Sequence, residues 1–308
     1  MARVDRHPEV KDYILELSLE EIGARGGIAD LFEQGHLVIV RDYRLAVDFS
    51  AIDALEKDLD LIGDPQCRRR VKKMTTRAFL EGDPPVRRRR FDRRSKALQF
   101  NDPMRQAVFD VLCRGEPALF KAVSTTLRNA QDEIERIFRA SFPGYRPFRF
   151  IPSIRMTQTM FENIHWDNHS IDDDFHQARI FANLDRRPRI WHVSHHSDDF
   201  IRLIYRSHGL DRFAGKDPNK MLEFIHSELL GGTCETWKDG LPKHKVAFEP
   251  GEVWIGESRL ISHQIYYGEA ALVFMWFVDK DCMTNPRFRF NERIEALHHA
   301  MAADGETR

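Results

Sequence analysis

The sequence predicts a mainly β core, a sandwich or barrel, buttressed by N-terminal helices and interrupted by one helical insertion. Three observations carry this expectation. Beyond Pro143 the chain breaks into short apolar or alternating runs separated by turn residues. Between Asp102 and Phe142 apolar residues, among them Val108, Leu112, Val123, Leu127, Ile134 and Phe138, recur at helical spacing. The composition, 42% hydrophobic and 31% charged over 308 residues, is that of a globular chain with material for one large core or two modest ones.

In chain order, Ser18 to Gln34 reads as a helix, with Ser18 as N-cap and Glu21 three residues later as its capping-box partner; the strand-like "HLVIVRDY" follows. Phe49 to Ile62 again has helical periodicity. Two arginine-rich stretches, "RRRVKK" from Arg68 and "RRRRFDRR" from Arg87, are separated by the loop signal "GDPPV" and belong on the surface. The long helical pattern after Asp102 breaks at "RGEP", Arg114 to Pro117. Then come the strand candidates "FRFIPSIRMTQTMF", "ARIFANLD", "RIWHVSH", "KVAFEPGEVWIGES", "LISHQIYYG" and "ALVFMWFV", interrupted by a helical insertion at about 198–230. A helix at "NERIEALHHAMAA" closes the chain. The expected organisation is a mostly helical region at 1–142 carrying the arginine-rich loop and packed on the core, a catalytic core at 143–285, and a C-terminal helix and tail at 286–308.

Several function classes are disfavoured. No apolar run approaches the roughly 20 residues that span a bilayer, and "MARVDRHPEVKDY" lacks the apolar centre of a signal peptide, so a cytoplasmic protein is expected. Cys67, Cys113, Cys234 and Cys282 are scattered without CxxC spacing, which argues against a disulfide framework and a thiolate zinc site. Any metal must rest on His and carboxylate. The arginine clusters raise a nucleic-acid reading, but Phe91 is the only aromatic in the second cluster and the net charge is -1, so nucleic acid is not the expected partner.

The stretch "FENIHWDNHS" holds the chemistry. In an extended segment residues i and i+2 project to one side, so His165 and Asp167 reach one ion while Trp166 points away. Two imidazoles and one carboxylate on one face leave the opposite positions of an iron(II) ion open. His263, after the turn "EPGEVWIG" and before the last strand, is the candidate third ligand. The bland alternative makes His165 a loop residue, Asp167 a turn cap and His263 a core histidine. A rival pairs His165 with His169 at i, i+4 as zinc ligands on a helix, but the segment is short and polar. His195 and His196 read as solvent-exposed strand-end residues.

The HxD motif, "ARIFANLDRRPRIWHV" and "FEPGEVWIGESRLISH" together resemble the iron(II)/2-oxoglutarate-dependent dioxygenases, and within them the 3-deoxy-D-manno-oct-2-ulosonic acid (Kdo) hydroxylases. The resemblance implies a double-stranded β-helix (jelly roll, cupin-like) core, with Fe(2+) bound by His165, Asp167 and His263 and 2-oxoglutarate as cosubstrate. It implies hydroxylation by dioxygen of an unactivated C–H bond in a small, anionic or sugar-derived substrate. The retained carboxylate speaks for hydroxylation over halogenation, while desaturation, ring formation and epimerisation would use the same ligands. A homodimer stays open.

The far carboxylate of 2-oxoglutarate calls for a buried cation. Ala271 to Val278, where many relatives place it, has none. Arg179 is the first choice, since alternation puts Arg179, Phe181 and Asn183 on one face; Arg155 and Arg189 are reserves, and Thr157, Gln158 or Thr159 could add a neutral hydrogen bond. Arg202, Tyr205 and Arg206 of the insertion are candidates for substrate contact from a lid. The missing cation on the last strand is the feature that favours an alternative, a non-oxidative cupin-like metal protein with the same three ligands.

Overall fold

The structure, a computed structural model, describes residues 1–72, 76–80, 84, 90–92, 97–99, 103–156, 164–167, 175–229 and 241–306. Its strands are β1 (Arg3–Asp5), β2 (Ile14–Ser18), β3 (Leu37–Arg44), β4 (Arg90–Asp92), β5 (Ala97–Gln99), β6 (Pro147–Met156), β7 (Phe175–Asn183), β8 (Arg189–His196), β9 (His244–Phe248), β10 (Glu252–Gly256), β11 (Ile261–Tyr267) and β12 (Ala270–Asp279). The helices are α1 (Leu19–Ala24), α2 (Ala29–Glu33), α3 (Phe49–Asp53), α4 (Pro65–Lys72), α5 (Arg77–Leu80), α6 (Pro103–Ala107), α7 (Pro117–Ser141), α8 (Ser197–Ile204), α9 (Pro218–Phe224) and α10 (Phe290–Glu306).

Two sheets make the core. One has the order β1-β9-β8-β11, the other β2-β3-β10-β7-β12-β6, and β4 pairs with β5 in a separate ribbon. Every pairing is antiparallel except β2 with β3. The two short strands β1 and β2, which the sequence pattern does not announce, join one sheet each, so residues ahead of 143 supply strands as well as helices.

Period-2 alternation sorts the strand side chains into two apolar clusters. Phe181, Trp191, Val193, Val246, Phe248, Trp254 and Val273 fill the space between the sheets, with Trp254 stacked on Phe248 at 3.9 Å. On the outer face of the larger sheet Ala178, Ile180, Ala182, Leu272, Phe274 and Trp276 meet the apolar stripe of α7, where Phe138 stacks on Trp276 at 4.2 Å. Each such aromatic, fully buried, contributes about 1.5–3 kcal/mol, so α7 is held by packing more than by propensity.

The helical expectations hold in kind and differ in length. Ser18 caps α1 with the full reciprocal box to Glu21. The helix expected through Gln34 splits into α1 and α2 because Gly26 and Gly27 take φ of +73° and +106°, and a Cβ on Gly27 would stand 2.7 Å from the Ser141 carbonyl oxygen. Phe49 to Ile62 is helical only over α3, with a 3-10 turn at Leu59–Leu61. The first arginine-rich stretch lies largely on α4, where Arg68 pairs with Asp60 at 3.0 Å; most of the second lies outside the described residues. No helix among the described residues is long and apolar enough to cross a membrane.

Candidate metal site

The site forms where the segment Ile164–Asp167 runs beside β11. His165 and His263 exchange both backbone hydrogen bonds, N to O at 3.0 and 2.9 Å, so their side chains emerge as neighbours with ring centroids 4.7 Å apart. Two residues on, the Asp167 amide donates to the Ser258 carbonyl, ahead of β11, at 2.8 Å, and the Asp167 carboxylate comes to within 3.6 Å of His165 Nε2. The alternate residues point the other way: Ile164 and Trp166 are buried in a third apolar cluster with α8, α9 and α10, and the Trp166 indole donates to the Leu260 carbonyl at 3.2 Å. Alternation over four residues thus divides the segment into a polar face and a packing face. One donor atom from each of His165, Asp167 and His263 falls within 4.8 Å of the others.

The protonation states suit a cation. His263 is buried, and burial together with the neighbouring His165 pulls its pKa down to about 4, so the ring is neutral at pH 7. His263 Nδ1 lies 3.3 Å from the Ile261 carbonyl, an acceptor only, which leaves the Nε2 lone pair for a metal. Trp191 stacks on the same ring at 4.9 Å and fixes its plane. Burial alone would raise the Asp167 pKa, but the Arg179 charge, with the His165 ring nitrogen 3.6 Å from the carboxylate, holds it well below the usual carboxylate range.

Arg179 is in the interior, as the alternation along β7 requires, and its guanidinium is committed. It donates to the Asp167 carboxylate and to Ser258 Oγ at 2.6 Å through Nη1, and to Gln177 Oε1 at 3.3 and 2.8 Å through Nε and Nη2. Behind Ser258 sits a buried ion pair. Burial disfavours the charged Glu257, yet Arg259, 2.8 Å away, brings its pKa below the ordinary value, and Arg259 also reaches His176 Nδ1 at 2.8 Å.

The other expected residues are dispersed. Asn183 is a turn pin: its amide donates to the carbonyls of Arg187 and Phe248 at 2.9 Å and its oxygen accepts from the Asp185 amide at 2.9 Å, so it is not available to a cosubstrate. Arg189 is buried 3.9 Å from Asp185, at the end of β8 remote from Val193, the partner of His263. Arg155 is half-buried on β6, opposite Ala271. Since Phe150, Ile154 and Met156 pack on the outer face, alternation turns Arg155 toward the space between the sheets. Thr157, Gln158, Thr159 and His169 lie outside the described residues.

In the insertion, Tyr205 is buried and its hydroxyl meets His298 Nδ1 at 2.6 Å, whereas Arg202 and Arg206 are exposed. His196 is not a solvent-exposed strand end: it is 1% exposed, and its Nδ1 caps α8 by accepting from the Asp198 amide. Sequence reasoning missed Ser258 and the Glu257–Arg259 pair, which no motif marks, and His226, whose ring lies 6.2 Å from that of His165.

No protein-family model and no curated protein matches the chain by sequence. Among solved structures it is similar to the apo form of the Kdo hydroxylase KdoO, a non-heme Fe(II) alphaketoglutarate dependent dioxygenase, with a TM-score of 0.52 at 14% identity over 92% of this chain and 95% of that one. The same hydroxylase in complex with succinate and Fe(III) matches with a TM-score of 0.53 over the same shares. Its complex with alphaketoglutarate and Fe(III) matches with a TM-score of 0.52 over 93% of this chain and 95% of that one, again at 14% identity. At this identity the likeness is one of fold, and over nearly its whole length the chain has the fold of these Kdo hydroxylase structures.

Proposed function

We propose that the protein is a non-haem iron(II)/2-oxoglutarate-dependent oxygenase that hydroxylates an unactivated C–H bond of a small, anionic, sugar-derived substrate. The observation that carries this reading is the convergence of His165, Asp167 and His263 within 4.8 Å, two imidazoles and one carboxylate, in a chain with the fold of the Kdo hydroxylase structures. Strand order supports a jelly-roll core. The chain crosses between the two sheets at β7–β8, β9–β10, β10–β11 and β11–β12, and the HxD segment pairs with β11, the strand of the distal histidine.

The donor set fits iron. Iron(II) with 2-oxoglutarate and dioxygen would supply the oxidation of the C–H bond, 2-oxoglutarate leaving as succinate and carbon dioxide. The chain's own residues then have distinct tasks. His165, Asp167 and His263 hold the ion; Arg179 aims the Asp167 carboxylate; the Trp191 ring fixes His263 and keeps water from its inner face. Arg155, which faces the space between the sheets from β6, is assigned the far carboxylate of the cosubstrate. The likeness to Kdo hydroxylases supports a sugar acid as substrate.

Anaerobic titration of metal-free protein with iron(II) and then 2-oxoglutarate tests this. The expected result is the weak visible charge-transfer band of chelated cosubstrate in wild type and its loss in His165→Ala. Metal uptake without a band would instead favour a non-oxidative metal protein on a related scaffold, the reading supported by the absence of any basic residue on β12.

A further inference from the structure

The helical insertion brings one polar ring to the triad. His226 lies in the π-helical turn Ile225–Leu229 that follows α9, is 5% exposed, and meets the His165 ring edge to face, with centroids 6.2 Å apart and planes at 82°. Single π turns wind the backbone more widely and re-aim the side chains they carry, and they recur at functional sites. This turn is firmly seated. Ile225 is fully buried in the apolar cluster that also takes Ile164 and Trp166, the residues on either side of His165. One packing unit therefore fixes both the ligand segment and His226.

His226 differs from the three donors in origin and in reach. They come from β11 and the segment beside it; it comes from the insertion, outside the two sheets, and it does not belong to the group of donor atoms within 4.8 Å. A divalent ion held by one carboxylate, itself paired with Arg179, keeps net positive charge on its open side, which favours an anionic ligand there. An imidazole packed beside the ligand His165 without joining the donor group can donate to such a ligand.

We infer that His226 is a ligand-positioning residue: it hydrogen-bonds a small anionic group bound on the open side of the metal held by His165, Asp167 and His263. The inference rests on the metal-site reading above and adds a fourth functional side chain, delivered by the insertion.

The test uses the full chain loaded with cobalt(II) and titrated with azide, followed by visible absorption, in wild type, His226→Leu and His226→Gln. Cobalt affinity is expected to stay within about threefold of wild type in both variants, because His226 is not a ligand. Azide binding is expected to weaken about tenfold in His226→Leu, the size of one hydrogen bond, and to recover in part in His226→Gln, whose amide can donate. Equal azide affinity in wild type and His226→Leu would overturn the inference while leaving the metal site intact. A loss of cobalt affinity in both variants would overturn it by making His226 a ligand. Failure of the metal-site reading looks different: wild type takes up no cobalt, or His165→Ala binds it as tightly.

Discussion

Replacing His263 with alanine is expected to abolish detectable iron(II) or cobalt(II) binding, a loss larger than the roughly 10–100-fold that follows removal of a supporting outer residue. The reasoning is geometric. The backbone exchange between His165 and His263 does not depend on the imidazole, so the variant keeps the two segments paired and loses only the donor. The pH dependence has a definite sign. Burial holds the His263 pKa down to about 4, so the ring is already neutral at pH 7, metal uptake displaces no proton from it there, and proton competition at this ligand sets in only as pH falls toward 4. Calorimetric titration with cobalt(II), with circular dichroism to show that the variant is folded, checks both points. Undiminished affinity in His263→Ala would remove His263 from the site.

Arg179→Leu is expected to damage both stability and metal binding. The substitution strands a carboxylate that Arg179 now holds ionised and deprives Ser258 Oγ and Gln177 Oε1 of a shared donor. Breaking a fully buried pair costs about 3–5 kcal/mol, but the Asp167 side chain is 30% exposed, so about 2 kcal/mol is the expected loss. Cobalt affinity should fall about 10–100-fold, because an unaimed carboxylate is a poorer ligand. Arg179→Lys keeps the charge and loses the planar fork, so its effects should be intermediate. Thermal unfolding and calorimetry separate the two consequences. If Arg179 instead anchors the far end of the cosubstrate, its loss would abolish 2-oxoglutarate binding and spare the metal, whereas the assignment made here gives that phenotype to Arg155→Leu.

The parts of this site that were legible in the sequence are those governed by local periodicity. Alternation alone places His165 and Asp167 on one side with Ile164 and Trp166 on the other, and it places Arg179 with Phe181 on the interior face of β7. His263 could be singled out because a turn and a final strand bracket it, and its donor atom does lie with those of His165 and Asp167. What escaped depends on contacts distant in sequence. The commitment of Arg179 to Asp167 and Ser258 is set by pairing across strands, and so is the Asn183 pin under the Gly251 turn, where the Gly251 amide donates to the Asn183 carbonyl at 2.9 Å. Helix lengths were overestimated where glycine backbone broke the run, as at Gly26 and Gly27, and β1 and β2 are too short for their alternation to stand out. His226 carries no local signal at all, since its place beside His165 results from how the insertion packs.

The measurement that bears most directly on the central claim is the conversion of 2-oxoglutarate to succinate by the full chain, supplied with iron(II) and dioxygen in the absence of added substrate, compared between wild type and His165→Ala. The account predicts slow, iron-dependent succinate formation in wild type that disappears in the variant. Succinate formation that persists at the same rate in His165→Ala, or a wild-type protein that binds iron and 2-oxoglutarate yet forms no succinate even when offered sugar acids, would contradict it.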